Sequence, residues 1–294
     1  MTALAVALAL VAALLFAVAA VLQEKGTQGL PDDGATGVGF LTTLARRKVW
    51  VLGIIADIGG FAVQAAALAV GSLLMVQPLL VSTLLFALPL AAWSQKRRLV
   101  PREWFWAAVL TASLIVFIVV GEPGPGISAP SGQSWIVPIA LMIPVVAGCV
   151  IWAGRMPHGT RRSLVLALAA GLLLGYSAPF TKTGVDAFGG GLLAGLSSWE
   201  FWMMAVTATL GTLWQQSSYQ AGDVQTSLPT VTVLKPIVAM ALGLTIYQEH
   251  LKVGHLGDGI VIAALIVMCI ATIALGRLGA PADDGASAPA GSVA

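Results

Sequence analysis

The sequence has few charged residues, few cysteines and few histidines, and each shortage excludes a class of protein. Charged residues make up 10% of the 294 positions, against roughly 25% in soluble domains. The two cysteines, Cys149 and Cys269, lie in apolar stretches and provide no disulfide framework. The three histidines have no second metal ligand at a useful spacing. The sequence therefore predicts neither a soluble domain nor a resident metal or other cofactor.

Long apolar runs take the place of these residues. A run of about 20 apolar residues is the length of a membrane-spanning α-helix. The sequence therefore predicts an all-α integral membrane protein with about nine transmembrane helices. The predicted spans are Ala3–Leu22, Val49–Val70, Leu73–Trp93, Trp104–Val120, Trp135–Ala153, Ser163–Phe180, Glu200–Ser218, Leu228–Tyr247 and Asp258–Leu275.

The positive charges between these spans lie almost entirely on one side. When the connections are taken alternately, twelve of the 15 Lys and Arg residues are on one side, and Lys182 and Lys252 are on the other. Because cytoplasmic loops are enriched in Lys and Arg, this asymmetry predicts an outer N-terminus and a cytoplasmic C-terminus in the cytoplasmic membrane. Lys182 follows its predicted span and is expected to be an interfacial anchor. The tail, residues 279–294, is expected to be disordered.

The two halves of the chain repeat each other. Residues 1–122 form a first repeat of helices 1–4, residues 123–162 contain a connecting helix 5, and residues 163–278 form a second repeat of helices 6–9. Matching helices are five apart, an odd number, so the repeats are predicted to be inverted, as in alternating-access transporters. A bundle duplicated for stability alone is the alternative. The matches are Gly60/Gly211, Gln64/Gln215, Gly71/Gly222 and Pro78/Pro229 at a spacing of 151, and Leu14/Leu172 and Gly26/Gly184 at a spacing of 158.

A stripe of small and polar residues follows one face of the second and seventh helices, at steps of three and four. Ala208 takes the place that Asp57 has in the first half, so the carboxylate is not duplicated. Small residues alone would indicate a helix-packing seam, whereas the polar ones favour a cavity. The stripes are Gly53, Asp57, Gly60, Gln64, Ala67 and Gly71, and Ala208, Gly211, Gln215, Ser218 and Gly222.

Two charges are predicted inside the spans at similar depth. Asp57 and Lys235 lie about 12 Å and 10 Å from the cytoplasmic ends of their helices at 1.5 Å per residue. A lone charge at a helix centre costs about 2.5–3.5 kcal/mol, which an opposite charge would relieve. Snorkelling of Lys235 is the alternative. The predicted substrate or ion pathway consists of Asp57, Gly60, Gln64, Gly211, Gln215 and Lys235.

Three segments carry a resemblance to a known family. They are the run Gly59–Glu103, the run LWQQSSYQAGDVQTSLPTVTVLKP from Leu213 to Pro236, and VLQEKG at Val21–Gly26. They resemble the drug/metabolite transporter superfamily, most closely its NIPA-like/EamA-like branch and actinobacterial relatives. The resemblance implies inverted helical repeats around a central cavity, alternating access and no covalent chemistry.

The sequence thus predicts a secondary transporter of a small organic solute, a metabolite or drug, and not an enzyme. Proton coupling and a homodimer are left open. The expected partners are this solute and membrane lipids, and no nucleic acid. NIPA-like members are associated with magnesium, so a divalent-cation transporter with Asp57 as ligand is the first alternative, although Lys235 would oppose a dication. A non-transporting membrane scaffold subunit is the second.

Overall fold

A computed structural model describes residues 2–27, 46–127, 130–222 and 224–279, and these ranges are all-α, as predicted. The predicted disordered tail lies outside them beyond residue 279. The helices are α1 (Thr2–Thr27), α2 (Lys48–Val70), α3 (Leu73–Leu80), α4 (Thr83–Ser94), α5 (Pro101–Gly121), α6 (Ile136–Gly154), α7 (Thr160–Phe188), α8 (Leu192–Ser197), α9 (Trp199–Ala221), α10 (Val224–Thr245) and α11 (His255–Gly279).

Eight of the nine predicted spans are confirmed as helices long and apolar enough to cross a membrane. They are α1, α2, α3 with α4, α5, α6, α7, α10 and α11. The ninth prediction, Glu200–Ser218, forms helix α9 of 23 residues, about 34 Å long at 1.5 Å per residue. It is not among the candidate spans because its second half is polar, with Gln215, Gln216 and Gln220. The chain is therefore a multi-pass membrane protein with eight candidate spans among the described residues.

The third predicted span is interrupted between α3 and α4. Pro78 lies in α3 and has no N–H to donate. At the interruption, the Ser82 hydroxyl donates to the Leu79 carbonyl at 2.5 Å, and the Thr83 hydroxyl donates to the Leu80 carbonyl at 2.7 Å. Because these side chains satisfy carbonyl groups freed by the break, an irregular backbone is tolerated here inside the membrane.

Helix α7 is the central helix of the fold. It contains 29 residues, and most of its span is buried inside the protein. It packs against α9, α10 and α6. The predicted span Ser163–Phe180 ends eight residues before the helix does at Phe188, so Lys182 belongs to the helix rather than to a connection.

The first two helices of each half pack through the same glycine contacts. Helix α1 packs on α2 and α4, and α7 packs on α9 and α10. Each contact of the first half recurs in the second, displaced by 158 residues in the first helix and by 151 in the second, which are the spacings of the sequence matches. The contacts are Gly26–Trp50, Phe16–Gly60 and Ala5–Gly71, and Gly184–Phe201, Leu174–Gly211 and Ser163–Gly222.

This close approach makes Gly60 sensitive to a single methyl group. A Cβ atom on Gly60 would lie 2.9 Å from the Phe16 ring, whereas one on Gly59 has no neighbour nearer than the Leu15 Cδ1 atom at 3.9 Å. Overpacking costs about 1–3 kcal/mol, and alanine is a better helix former than glycine. We expect Gly60→Ala to lower the thermal unfolding midpoint of the purified protein and the control Gly59→Ala to leave it unchanged or raise it. Equal midpoints for the two variants would contradict this packing.

Candidate functional site

A cavity of about 210 Å³ lies between the two halves of the chain. Helices α1, α3 and α4 supply one part of its wall, and α7, α9 and α10 supply the other. Its polar lining consists of Gln77, Thr83, Gln215, Thr232 and Lys235. The cavity is therefore shared between the halves and has one charged side chain among its described lining residues.

Part of the wall is built from residues that match at the repeat spacings. Phe16 and Leu174 are 158 residues apart, whereas Leu80 and Val231, like Val81 and Thr232, are 151 apart. Both members of each pair line the cavity, so it lies where corresponding surfaces of the halves meet.

The polar groups of the cavity break this correspondence. The position that matches Gln77 in the second half is Leu228, and the position that matches Lys235 in the first half is Leu84. Gln77 therefore has no amide at the matching position and Lys235 has no charge at the matching position, so the chemistry of the cavity is asymmetric although its frame is repeated.

Gln77 is the most deeply buried of the polar lining residues. It lies in α3 directly before Pro78, its exposed fraction is 1%, and its Nε2 group has no hydrogen-bond partner among the described residues. A buried donor without a partner costs about 1–3 kcal/mol. A bound group that reached this donor would relieve that cost.

Lys235 lies in α10, is half-buried and lines the cavity. The next residue, Pro236, has no N–H, so the Thr232 carbonyl one turn earlier lacks its usual helical donor. Thr232 and Pro236 also line the cavity. The backbone that Pro236 opens beside Lys235 therefore lies at the cavity wall.

Asp57 lies apart from this lining. It is exposed on α2, next to Gly53 and Gly60, which face α1. The ion pairs found within 4.0 Å among the described residues involve other side chains, so the Asp57 carboxylate lies farther than that from Lys235. The two charges are still close enough to interact electrostatically. An Asp57–Lys235 ion pair in another conformation stays a prediction.

The other predicted pathway residues lie at or behind the cavity wall. Gln215 lines the cavity, and its Nε2 group donates to the Tyr219 hydroxyl at 2.7 Å. Gly60 and Gly211 lie behind it, against the lining residues Phe16 and Leu174. Gln64 is buried, and its Oε1 atom accepts no hydrogen bond from the described residues, but it is not among the residues that line the cavity.

The cavity continues towards one end of the molecule. A neighbouring cavity of about 320 Å³ shares Leu80, Val81, Thr83 and Thr232 with it and extends to Glu24 and Arg97. The two cavities therefore adjoin, and the second extends to the end of the protein where α1 and α4 terminate.

This open end is rich in positive charge. A third cavity, of about 520 Å³, meets the second at Val21 and Arg97 and is also lined by Lys25 and Lys96. The Arg97 guanidinium donates to the Glu103 carboxylate at 2.9 Å and 3.0 Å, and these hydrogen bonds raise the pKa of Arg97. Lys25, Lys96 and Arg97 therefore form a basic mouth at this end, beside the Glu24 carboxylate.

A buried ion pair lies at the opposite end of α10. Along α10, Leu228 lines the 320 Å³ cavity and Lys235 lines the 210 Å³ cavity, whereas Glu249 follows the far end of the helix. The Lys182 Nζ atom lies 2.7 Å from the Glu249 Oε1 atom, and the side chains are 10% and 0% exposed. The interface prediction for Lys182 is therefore wrong, because α7 continues past Phe180 and carries this lysine into the protein.

Backbone groups of the first half complete the contacts of this ion pair. The Lys182 Nζ group also donates to the Gly71 carbonyl at 3.0 Å. The Leu73 and Leu74 amides, at the N-terminus of α3, donate to the Glu249 carboxylate at 2.8 Å and 2.9 Å. A negative charge is stabilised at a helix N-terminus. The ion pair therefore joins α7 and the segment after α10 to the α2–α3 junction.

Aromatic side chains cover the ion pair. The Trp135 and Phe180 rings stack with their centroids 4.5 Å apart, and Trp135 meets the Tyr247 ring edge-on. The Tyr247 hydroxyl contacts the Thr183 hydroxyl and lies 2.6 Å from the Pro179 carbonyl. The Tyr247 ring lies against the ion pair, with its centroid 5.1 Å from the Lys182 Nζ atom.

Sequence reasoning missed Gln77 and Glu249. A signal for Gln77 was available, since it is a glutamine in an otherwise apolar span, next to the repeat-matched Pro78. Glu249 had no comparable signal, because its partners Lys182, Leu73 and Leu74 are distant in the sequence.

Comparison with known proteins found a similar sequence. An uncharacterized protein of Corynebacterium glutamicum is 37% identical over 278 residues, which cover 93% of this chain and 95% of the relative. No family model matches the sequence, and no solved structure does. The similarity to the relative extends through both halves and the connecting segment.

Proposed function

This chain belongs to the same family as the Corynebacterium glutamicum protein, and we propose that it is a secondary transporter of a small organic solute. The observation that carries the proposal is the 210 Å³ cavity between the halves, open towards one end and closed by Lys182 and Glu249 at the other. A central site with access from one side at a time is the requirement of alternating access.

The recurrent helix contacts support two inverted repeats and membership of the drug/metabolite transporter superfamily. Three glycine contacts between α1 and α2 recur between α7 and α9 at the spacings of the sequence matches. Helices α5 and α11, which correspond in the two halves, pack on each other, as do α3 and α10. Such self-pairing is expected of two copies related by a twofold axis. The inversion further requires that α9 spans the membrane.

The proposed orientation makes this structure the inward-open state. With the N-terminus outside, the basic mouth with Lys25, Lys96 and Arg97 faces the cytoplasm, and the Lys182–Glu249 pair closes the outer side. Return to an outward-open state would separate this pair and close the mouth, where the Gln95 side chain donates to Glu24 at 3.0 Å. In the proposed cycle, Asp57 carries a coupling proton.

The orientation can be tested by cysteine labelling in cells. In a Cys149→Ala/Cys269→Ala background, we expect Ser287→Cys to react with an impermeant maleimide only after the cells are broken, because the C-terminus is cytoplasmic. The control Gln133→Cys, in the exposed segment before α6, should react in intact cells. Labelling of Ser287→Cys from outside intact cells would contradict the combination of an outer N-terminus with nine spans.

The transport proposal is tested by uptake into proteoliposomes. Purified protein is screened against radiolabelled metabolites, drugs and divalent cations, with and without a proton gradient, and protein-free liposomes are the control. We expect saturable uptake and counterflow of an organic solute. Uptake of magnesium alone would favour the divalent-cation alternative, and movement of no solute would favour a scaffold subunit.

A further inference from the structure

We propose that the transported solute is a small organic anion, and that Lys235 binds its negative group while Gln77 and Gln215 donate hydrogen bonds to it. This inference rests on the proposed transport function and names its substrate class. Three features carry it: the charge of the cavity, the donors that face it, and its volume.

The cavity is positively charged, and its cation has no ion-pair partner within 4.0 Å among the described residues. Lys235 is the one charged side chain among the described lining residues. The ion pairs within 4.0 Å among the described residues are Arg97–Glu103 and Lys182–Glu249, so neither supplies a carboxylate to Lys235. Asp57 acts on it from a greater distance. A cation held inside the membrane requires a counter-charge, and an anionic solute would supply it.

Two of the other polar lining residues carry amide donors. Gln77 has its Nε2 group unpartnered and its side chain 1% exposed. Gln215 donates to Tyr219, and its amide has a second N–H. The hydroxyl hydrogens of Thr83 and Thr232 already bond to carbonyl groups of Leu80 and Leu228. An ammonium with two amide donors suits the oxygens of a carboxylate, phosphate or sulfonate.

The volume of the cavity indicates a small molecule. Drug-sized ligands occupy pockets of roughly 300–1,000 Å³, and the cavity at Lys235 is about 210 Å³. An aliphatic or monocyclic acid fits this space with its anionic group at Lys235 and its apolar part against Phe16 and Leu174. The basic mouth would also concentrate anions.

The sign of the electrostatic potential in the cavity can be measured without knowledge of the substrate. Thr232 lies three residues before Lys235 and lines the cavity, so Thr232→Cys, in the Cys149→Ala/Cys269→Ala background, reports the potential there. Its reaction rate is measured with an anionic sulfonate and a cationic trimethylammonium methanethiosulfonate reagent. A nearby cation speeds thiolate formation for both reagents equally, so their rate ratio isolates the electrostatic preference. Gln133→Cys is the reference.

We expect the cavity cysteine to prefer the anionic reagent by about tenfold relative to the reference, as expected for one nearby unit charge. Lys235→Met should abolish this preference and Lys235→Arg should keep it. The arginine variant keeps the charge, so it distinguishes the loss of charge from a loss of folding. Thermal unfolding of all variants monitors folding. A cavity that prefers the cationic reagent, or a preference that survives Lys235→Met, would overturn the proposal.

Ligand protection then identifies the substrate class. Benzoate, succinate and glycerol 3-phosphate are compared with benzamide, succinamide and glycerol as inhibitors of Thr232→Cys labelling. We expect at least one anion to protect the cysteine from labelling. Its neutral counterpart should protect about tenfold less strongly, and the anion should give no protection in Lys235→Met. Protection by neutral compounds alone, or by none, would overturn the anion assignment. Failure of the transport proposal is distinguishable, because anion protection would then persist without counterflow in proteoliposomes.

Discussion

Glu249→Gln is expected to unlock the closed end of the protein and to lower its stability by about 3–5 kcal/mol, the range for removal of one partner from a buried ion pair. Glutamine has nearly the size of glutamate but keeps one acceptor oxygen, whereas the Leu73 and Leu74 amides donate to different oxygens of the carboxylate. The change therefore removes the charge and one of the two acceptors. It leaves the Lys182 ammonium, 10% exposed in the intact pair, buried with the Gly71 carbonyl as its remaining hydrogen-bond acceptor among the described residues.

The Arg97–Glu103 pair provides a matched control. Its carboxylate is also buried, with an exposed fraction of 2%, but the Arg97 side chain is 34% exposed. Water can therefore solvate Arg97 after Glu103→Gln, and we expect a smaller loss of stability than for Glu249→Gln. The double variant Lys182→Met/Glu249→Met should regain part of the loss, since apolar replacement of a buried pair is often neutral.

The measurement combines thermal unfolding with labelling from outside. In wild type, the closed end should protect Thr232→Cys from an impermeant reagent applied to intact cells, whereas in Glu249→Gln this cysteine should react. In Glu103→Gln it should stay protected. Equal stability losses in the two glutamine variants, with unchanged labelling, would show that the Lys182–Glu249 pair does not close the outer end.

The limits of sequence prediction are clearest at the two ends of the cavity. Hydropathy locates α7 but ends it at Phe180, because a lysine counts against a span. The structure continues the helix, since Lys182 finds a partner 67 residues later at Glu249, and no local pattern encodes that contact. The break after Leu80 has a local cause, but hydropathy does not detect it. It depends on where the Ser82 and Thr83 hydroxyls bond.

The helix contacts were more predictable than the polar lining. Gly60 and Gly211 mark close helix approach because a glycine leaves room for a neighbouring side chain, and each lies against a residue of the preceding helix of its half. A single polar residue such as Gln77 forms no periodic stripe. Periodicity places Asp57 on the face of Gly53 and Gly60 but does not say whether the edge of that face is covered, and the structure leaves Asp57 exposed.

Asp57→Asn is expected to abolish uptake driven by a proton gradient while it preserves exchange of solute across the membrane. In the proposed cycle, the loaded carrier holds an anion on Lys235 with Asp57 protonated, and the empty carrier returns with the ionised Asp57 balancing Lys235. Asparagine cannot supply that balance. The empty carrier would then return with an unpaired cation at an added cost of about 2.5–3.5 kcal/mol, which slows the return by roughly 100-fold.

Exchange separates this mechanism from a general defect, because it proceeds through loaded carriers and never requires the empty return. Asp258→Asn, at a carboxylate that is also exposed, in the first turn of α11, is the matched control and should retain both activities.

The double variant Asp57→Asn/Lys235→Ala should recover part of any stability lost in Asp57→Asn, since it removes the cation left unbalanced. Strictly additive losses would show that the two charges do not interact. Wild-type gradient-driven uptake in Asp57→Asn would exclude this carboxylate from coupling.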